Sequence, residues 1–269
     1  MQYNTFLLSI ENQIATVSFN RPNKANALTA ESWKEMQQIF ESLSENPEVR
    51  VVILTGEGRN FCGGIDLSML MSINQVDIKD NGRRNEAFLK LGTGLQTSVN
   101  AIEKCTKPVI AAIQGACVGG GVDIIAACDM RYGTLDSYFS IKEIDLGMVA
   151  DLGTLQRLPK IINSGIVSEL AFTGRKVDGQ EAEKIGLISR TYENKDSMMA
   201  SITEIASTIA GKSPLSVRGI KQMLLYARDH SVDDALKYQM LWNAAMMRST
   251  DLEESFMAHM QKRKPDYEN

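Results

Sequence analysis

The sequence predicts an α/β core followed by a helical C-terminal part. Up to about residue 160, short apolar runs of strand type alternate with segments in which apolar residues recur at helical spacing. Beyond that point every periodic segment has the helical spacing. The chain has 269 residues, 43% of them hydrophobic, which is enough for one large domain or for a core with an appendage.

The first elements are a hairpin, a helix and a buried strand. Residues 6–10 and 14–19 are apolar or alternating runs around a polar turn, which predicts a β-hairpin. Thr29 is of a residue type that caps helices. Apolar residues follow it at helical spacing: Trp33, Met36, Ile39, Phe40 and Leu43. The uninterrupted apolar run at 51–55 predicts a buried strand.

The middle of the chain continues the alternation. Residues 87–102 have helical spacing, and residues 108–113 predict a strand that leads into a glycine turn and a helix through Cys128. Short strands are expected at 130–133 and 138–141. The segments predicted as helices beyond residue 160 are 165–172, 178–184, 197–211, 214–228, 232–248 and 252–262.

Two glycine turns, each after a predicted strand, are the most informative feature. They lie at residues 63–64 and 119–121, and Asp123 follows the second. Consecutive glycines let backbone N–H groups approach a ligand oxygen, and N–H groups at a helix start carry partial positive charge. Two such donors commonly hold an oxyanion that forms on a carbonyl. We therefore predict an oxyanion site here, with Glu143 and Asp151 available to move protons.

Five regions resemble, in order, the motifs of the crotonase superfamily, the enoyl-CoA hydratase/isomerase family. The first is Asn-Arg-Pro-Asn-Lys-Ala-Asn-Ala-Leu at 20–28. The others are 61–67, 113–123, 153–159, and 172–175 taken with 182–187. The resemblance covers nearly the whole chain, and several motifs in the right order make it specific.

Within the family the chain most resembles the dienoyl-CoA isomerases. These share the acid set Asp123, Glu143 and Asp151. Hydratases have glutamate at the place of Asp123 and no third acid in the loop after the second one. The amino-acid sequences of residues 142–153 and 229–233 also resemble those of the isomerases.

The resemblance implies a crotonase-like spiral of ββα repeats in residues 1–195. It assigns residues 196–269 to a C-terminal helical trimerisation region, and it implies a homo-trimer or homo-hexamer. Methionines in the last helices suit such an interface, although filling of the core explains them equally well. They are Met240, Met246, Met247, Met257 and Met260.

The reaction implied by the resemblance is isomerisation of 3,5-dienoyl-CoA to 2,4-dienoyl-CoA in fatty-acid β-oxidation. A base removes a proton from C2, and the backbone N–H groups of Ile65 and Gly120 hold the thioester enolate. An acid then protonates C6. Glu143 is assigned to C2 and Asp151 to C6, with the reverse order left open, and Asp123 orients or polarises the pair. No cofactor is expected, since coenzyme A is part of the substrate.

The same resemblance implies that backbone groups of two segments contact coenzyme A. The residues carried over as substrate contacts are Lys24, Ala25, Gly64, Asp66, Leu67, Ser68 and Gly121. Hydratases often have a lysine soon after the residue matched by Asp66. This chain has Ser68 and Met69 there, which leaves the phosphate contacts undefined.

Composition excludes several classes of function. A net charge of −4 argues against a nucleic-acid partner. The four cysteines form no CxxC pair and no ligand cluster with the two histidines, so neither a disulfide frame nor a metal site is predicted. His230 and His259 are expected on the surface or in packing. No apolar run is long enough to span a membrane.

The location predicted from the sequence is cytoplasmic. The first residues show no basic region followed by an apolar stretch, and strand-like alternation begins by Phe6, so neither a secretory signal nor a transit peptide is expected. The last three residues are not a peroxisomal signal. A processed organellar form is the alternative.

Three rival functions remain. A hydratase would use two acids to place a water at a 2-enoyl double bond, but Asp123 is one methylene shorter than the glutamate of hydratases. An aryl-CoA dehalogenase-like enzyme would use Asp151 as nucleophile with a histidine base, and no histidine precedes His230. The net negative charge of the chain and the presence of all three acids, Asp123, Glu143 and Asp151, argue against a non-catalytic scaffold or an RNA-binding relative.

Overall fold

The computed structural model describes residues 3–73 and 78–269. It begins with the predicted hairpin, in which β1 (Phe6–Glu11) and β2 (Ile14–Phe19) pair antiparallel. The turn residues Asn12 and Gln13 both have positive φ, 50° and 65°. That conformation suits a two-residue turn, because its twist matches the twist of the strands.

In the described residues the strands form two sheets. The further strands are β3 (Val51–Gly56), β4 (Val109–Ile113), β5 (Ala116–Val118), β6 (Met130–Thr134), β7 (Tyr138–Ser140), β8 (Val177–Asp178) and β9 (Thr191–Tyr192). The larger sheet has the order β1-β2-β3-β4-β6-β9 and is parallel from β2 onwards. The smaller has the order β5-β7-β8. The chain crosses between the sheets after β4, β5, β6 and β8, as the predicted spiral requires.

The first helix, α1 (Ala30–Glu45), begins at the predicted cap. The Thr29 side chain accepts a hydrogen bond from the Ser32 N–H, and the Ser32 hydroxyl accepts one from the Thr29 N–H. This reciprocal pair satisfies two donors at the helix start. The other helices are α2 (Leu67–Ile73), α3 (Asn81–Lys104), α4 (Gly120–Ala126), α5 (Thr154–Arg157), α6 (Ser164–Thr173), α7 (Gly179–Lys184), α8 (Lys195–Ala210), α9 (Pro214–Asp229), α10 (Val232–Met246) and α11 (Thr250–Gln261).

The larger sheet is buried on both faces, which explains the uninterrupted apolar run of β3. Val52 and Leu54 point into the main core, which α1, α3 and α4 share. Val51 and Ile53 point the other way, against a smaller core that includes Met198 and Ile202 of α8. Helix α8 thus packs on the sheet, although it lies beyond the predicted boundary at residue 195. The division into two regions stays a prediction.

Several elements differ from the sequence-based expectation. The chain beyond residue 160 is not wholly helical, because β8 and β9 add an edge strand to each sheet. Strands of two or three residues, such as these and β5, are too short to show an alternating pattern. Helix α2 was not predicted, α3 extends well beyond 87–102 at both ends, and α4 stops at Ala126 rather than Cys128. Across the described part of the chain, no helix combines the length and the apolar character of a membrane span.

Candidate active site

A cavity of about 790 Å³ opens between the two glycine turns, α3 and the segment at 142–152. All three predicted acids line it, and so do both predicted oxyanion residues, Ile65 and Gly120. The rest of its wall is mostly apolar. The apolar side chains are those of Trp33, Leu67, Leu70, Phe88, Leu91, Leu95, Val118, Leu146, Met148, Val149 and Leu152.

The backbone at Ile65 is oriented by a bridge to Leu28. The Leu28 N–H donates to the Gly64 carbonyl at 2.8 Å, and the Asp66 N–H donates to the Leu28 carbonyl at 2.9 Å. In this parallel pattern the N–H of the residue between, Ile65, points away from Leu28. No hydrogen bond within residues 3–73 and 78–269 uses that N–H. Gly64 has φ +92°, and a Cβ there would lie 2.9 Å from the Val118 carbonyl oxygen, so glycine is required.

The second donor lies at the start of α4. Gly119, with φ +52°, follows β5 and donates its N–H to the Ser140 carbonyl at 2.9 Å. The next N–H, that of Gly120, belongs to the first turn and therefore has no partner within the helix. A Cβ on Gly120 would lie 3.2 Å from the side chains of Leu28 and Trp33, so any other residue here would have to push these two side chains back.

Two neighbouring chain segments bring the donors to one place. Cys62 and Cys117 form a parallel bridge in which the Cys62 N–H donates to Ala116 at 2.9 Å and the Val118 N–H donates to Cys62 at 3.0 Å. The two glycine turns follow directly on this bridge. Burial raises the pKa of the Cys62 thiol to about 12, so this cysteine packs rather than reacts.

Asp123 is the most buried of the three acids, with 1% of its surface exposed. It projects from α4, and its Oδ1 accepts the Thr154 N–H at 2.7 Å. Burial raises the pKa of this carboxyl to about 6, and the nearby Asp151 charge adds to the rise, whereas the hydrogen bond from Thr154 opposes it. The carboxyl is thereby fixed in one position between the two other acids.

Glu143 lies in a 3₁₀ turn, Lys142–Leu146, directly after β7. Its Oε1 faces Gly119, where an added Cβ would lie 3.2 Å away. Its Oε2 is buried and lacks a hydrogen-bond partner among the described residues. Burial, and then the charge of Asp123, raise the pKa of Glu143 to about 7. The carboxyl can therefore be ionised or protonated near neutral pH, as a proton-transfer group requires.

Asp151 lies in the loop before α5. Gln96 of α3 donates its side-chain amide to the Asp151 carbonyl at 2.7 Å, which ties the loop to the helix. The residue is exposed, yet partial burial in the cavity raises the pKa of its carboxyl. The structure thus brings Asp123, Glu143 and Asp151 to one cavity, as the sequence predicted.

Of the residues predicted to contact the substrate, some line the cavity and others do not. Gly64 and Leu67 line the cavity. Lys24 is exposed, and the Ala25 carbonyl accepts the Gly63 N–H at 2.7 Å, so this segment lies beside the first glycine turn.

Like Lys24 and Ala25, the other three predicted contacts, Asp66, Ser68 and Gly121, lie outside the cavity wall. Asp66 pairs with Arg21 at 3.1 Å and accepts hydrogen bonds from the N–H and hydroxyl of Ser68. Gly121 packs under the turn, where a Cβ would lie 3.1 Å from Cys62. Motif matching selects these positions because the turn needs them, and it does not distinguish a ligand contact from a packing requirement.

Sequence reasoning missed the residues that support the site. The buried Asn26 amide donates to the carbonyls of Glu57 and Asn60, and its oxygen accepts the Arg21 N–H. The buried Arg157 donates to Glu103, Asn100 and the Leu152 carbonyl behind the acid loop. Both residues occur in the quoted motifs, but a motif alone does not assign a role. No set of three or more acids, histidines or cysteines in the described residues could hold a metal ion.

Comparison with known proteins supports the resemblance. The family profile described as Enoyl-CoA hydratase/isomerase matches residues 9–269. A protein of Arabidopsis thaliana named Delta(3,5)-Delta(2,4)-dienoyl-CoA isomerase, peroxisomal, is 48% identical over 92% of this chain and 90% of its own. The mitochondrial protein of that name from Mus musculus is 44% identical over 95% of this chain and 79% of its own.

Solved structures agree with the fold. The crystal structure of an enoyl-CoA hydratase from Bacillus anthracis superposes with a TM-score of 0.89 at 28% identity and covers 98% of this chain and 99% of its own. The likeness extends over both sheets and the C-terminal helices. By its sequence and by its architecture, this chain belongs to the enoyl-CoA hydratase/isomerase family.

Proposed function

We propose that the protein isomerises 3,5-dienoyl-CoA to 2,4-dienoyl-CoA by a 1,5 proton shift. The observation that carries the proposal is the presence of three carboxyls, Asp123, Glu143 and Asp151, around one cavity whose wall also contains two backbone N–H donors. The relatives that carry the dienoyl-CoA isomerase name support it. A hydratase needs two acids and a water, and it has no use for the third.

In this mechanism Glu143 removes a proton from C2. The N–H groups of Ile65 and Gly120 stabilise the charge that develops on the thioester oxygen, and removal of one such donor typically costs on the order of 10²–10³-fold in rate. Asp151 then protonates C6. The pKa of Glu143, raised to about 7, supports this assignment because that carboxyl can exist in either protonation state near neutral pH, and burial raises the pKa of Asp151 in the direction that favours an acid.

Asp123 acts on the other two acids rather than on the substrate. Held by the Thr154 N–H, it raises the pKa of Glu143 by its charge, and its carboxyl stops one methylene short of the place that a glutamate would reach. This is how the shorter acid favours proton transfer over the placement of a water.

The test uses two substrates in parallel. Purified protein is mixed with 3,5-octadienoyl-CoA, and the absorbance of the conjugated 2,4-dienoyl thioester is followed. Crotonyl-CoA serves as the hydratase substrate under the same conditions. Growth of the dienoyl absorbance with little hydration supports isomerisation. Fast loss of the crotonyl absorbance without formation of the dienoyl product would contradict isomerisation and show that the protein is a hydratase.

The proposal includes a setting for the reaction. The product is a conjugated thioester of the kind met in fatty-acid β-oxidation, and we place the enzyme there, in the cytoplasm, as a homo-trimer or homo-hexamer. Coenzyme A enters past the segment of Lys24 and Ala25, next to the first glycine turn. Subcellular fractionation and the acyl-CoA profile of a deletion strain test these assignments.

A further inference from the structure

We propose that the proton of Asp151 exchanges with water through a second, polar cavity behind the loop that carries it. The inference rests on the proposed isomerisation. It concerns how the acids regain their starting protonation after each turnover, a step that the reaction needs but that the catalytic cavity alone does not provide.

Asp151 lies in the wall between two cavities. One is the catalytic cavity, and the other, of about 370 Å³, lies between α3, the loop and turn at 151–160, and the end of α9. Glu143 and Asp123 line the first cavity and are not among the residues around the second. Most of the residues that line the second cavity are polar. They include Gln96, Asn100, Glu103, Gln156, Arg157 and Lys160. A cavity of this size and polarity holds several water molecules.

The wall itself is fixed. Gln96 holds the Asp151 carbonyl at 2.7 Å, and the buried Arg157 donates to the Leu152 carbonyl at 3.4 Å and to Asn100 at 2.6 Å. A Cβ on Gly153, which has φ +126°, would lie 1.8 Å from the Arg157 guanidinium. The Asp151 backbone therefore stays in place, with the residue in the wall of both cavities.

The proton balance shows why this access matters. In each turnover the C2–H bond breaks and its proton goes to Glu143. The electron pair shifts along the conjugated chain, and the proton of Asp151 forms the new C6–H bond. The enzyme is left with Glu143 protonated and Asp151 ionised. While the acyl chain fills the catalytic cavity, a proton from the bulk solvent passes through the water of the polar cavity to Asp151, and no hydroxide is left in the cavity. Glu143 loses its proton to solvent once the product has left.

A deuterium experiment separates this route from internal return. With substrate in large excess in D₂O, reprotonation from the polar cavity places one solvent deuterium at C6 in every turnover. Direct return of the proton from Glu143 to Asp151 instead carries the hydrogen of C2 to C6 after the first turnover. Mass spectrometry and NMR of the product measure the isotope at C6.

The route is tested by narrowing the polar cavity. Gln156 lines it, and its side chain makes no hydrogen bond within the described structure. Gln156→Phe fills the space, and Gln156→Ala is the matched control that leaves it open. We expect the first turnover of Gln156→Phe at the wild-type rate, with later turnovers slowed at least about threefold because resetting limits kcat. Gln156→Ala keeps wild-type kcat.

Two results would overturn the inference. One is a wild-type product that carries the C2 hydrogen at C6. The other is a Gln156→Phe variant whose kcat equals that of Gln156→Ala. Failure of the proposed function is distinct from both, because wild-type protein would then form no dienoyl product. A normal first turnover shows that the Phe variant is folded.

Discussion

At the scale of single residues, Glu143 shows how the fold raises the pKa of a carboxyl. Its Oε2 is buried without a partner in the described structure, and its Oε1 lies against Gly119. An ionised carboxyl in such a place costs free energy, which is why its pKa rises from 4.5 to about 7. Ionised Glu143 therefore destabilises the folded protein even when no substrate is bound.

This cost predicts how stability depends on pH. Between about pH 4.5 and 7 the folded state binds more protons at Glu143 than the unfolded state does, so this residue lowers stability as pH rises through that window. Glu143→Gln should therefore be more stable than wild type by on the order of 1–3 kcal/mol at pH 8, with the difference vanishing near pH 4.

Thermal unfolding at both pH values measures this difference. The exposed Glu11→Gln is the control and should show no such pH-dependent gain. If Glu143→Gln unfolds at the wild-type temperature at pH 8, burial does not raise the pKa of Glu143 as described.

Asp151 is the residue that most separates this chain from a hydratase. Asp151→Asn keeps the size of the side chain and removes its proton, so kcat for isomerisation should fall on the order of 10²-fold or more, with KM nearly unchanged. Asp145→Asn is the matched control, since Asp145 lines the same cavity but pairs with Lys142. Stopped-flow absorbance gives both constants. Equal turnover in the two variants would remove Asp151 from the mechanism.

The sequence predicts the acids and glycines of this site well, because each is demanded locally. A positive φ or a close backbone approach admits only glycine, and an acid in a matched motif is visible as such. The support by Arg157 and Asn26 could not be predicted. Apart from Arg21 and Leu152, their partners lie 31 to 57 residues away, and a hydrogen bond across that distance leaves no pattern in a single sequence.

At the scale of elements, α3 carries two glycines that packing does not explain. A Cβ on either Gly92 or Gly94 would meet no described atom within 4 Å, and each glycine costs a helix interior about 1 kcal/mol relative to alanine. Gly92 faces the catalytic cavity between Phe88 and Leu95, whereas Gly94 is exposed and does not line it. Gly92 therefore leaves room in the apolar wall of the cavity.

That room predicts which acyl chains fit. Gly92→Leu should lower kcat/KM for a twelve-carbon dienoyl-CoA about tenfold relative to an eight-carbon one, because the added side chain fills the apolar end of the cavity. Gly94→Leu makes the same change in helix propensity outside the cavity and should keep the wild-type ratio. Initial rates with both substrates measure it. An unchanged ratio in Gly92→Leu would show that the acyl chain follows another wall.

The larger sheet and the long helices could be predicted because their apolar patterns run for several residues. The strands β8 and β9 could not be, since each has two residues and depends on a partner strand that is already in place. Helix α2 has seven residues, five of them apolar, so its sequence shows no polar face by which a helix is recognised.

At the scale of the whole molecule, the C-terminal helices leave a large apolar surface uncovered. Exposed side chains on them include Ile220, Leu224, Leu236, Met240, Leu241, Phe256 and Met260. An isolated protein rarely exposes a surface of this kind. The surface is consistent with the proposed assembly.

Light scattering at micromolar concentration should give three or six times the chain mass of 29.7 kDa. Leu224→Glu on α9 should weaken the assembly, because it places a charge in the apolar surface. Leu7→Glu, in the N-terminal hairpin, is the control and should leave the mass unchanged. A monomeric wild-type protein would contradict the assembly, as would equal masses for the two variants.

The turn that carries Glu143 is braced by a chain segment about thirty residues further on. Ser140 donates its hydroxyl to the Gly174 carbonyl, 34 residues away, at 2.8 Å, and β8 pairs with β7 just before the turn. The turn that carries Glu143 therefore gains these two contacts only after residues 174–178 have been made. We expect a chain that ends before Gly174 to contain Asp123 and both glycine turns but to lack the contacts that hold Glu143 in place.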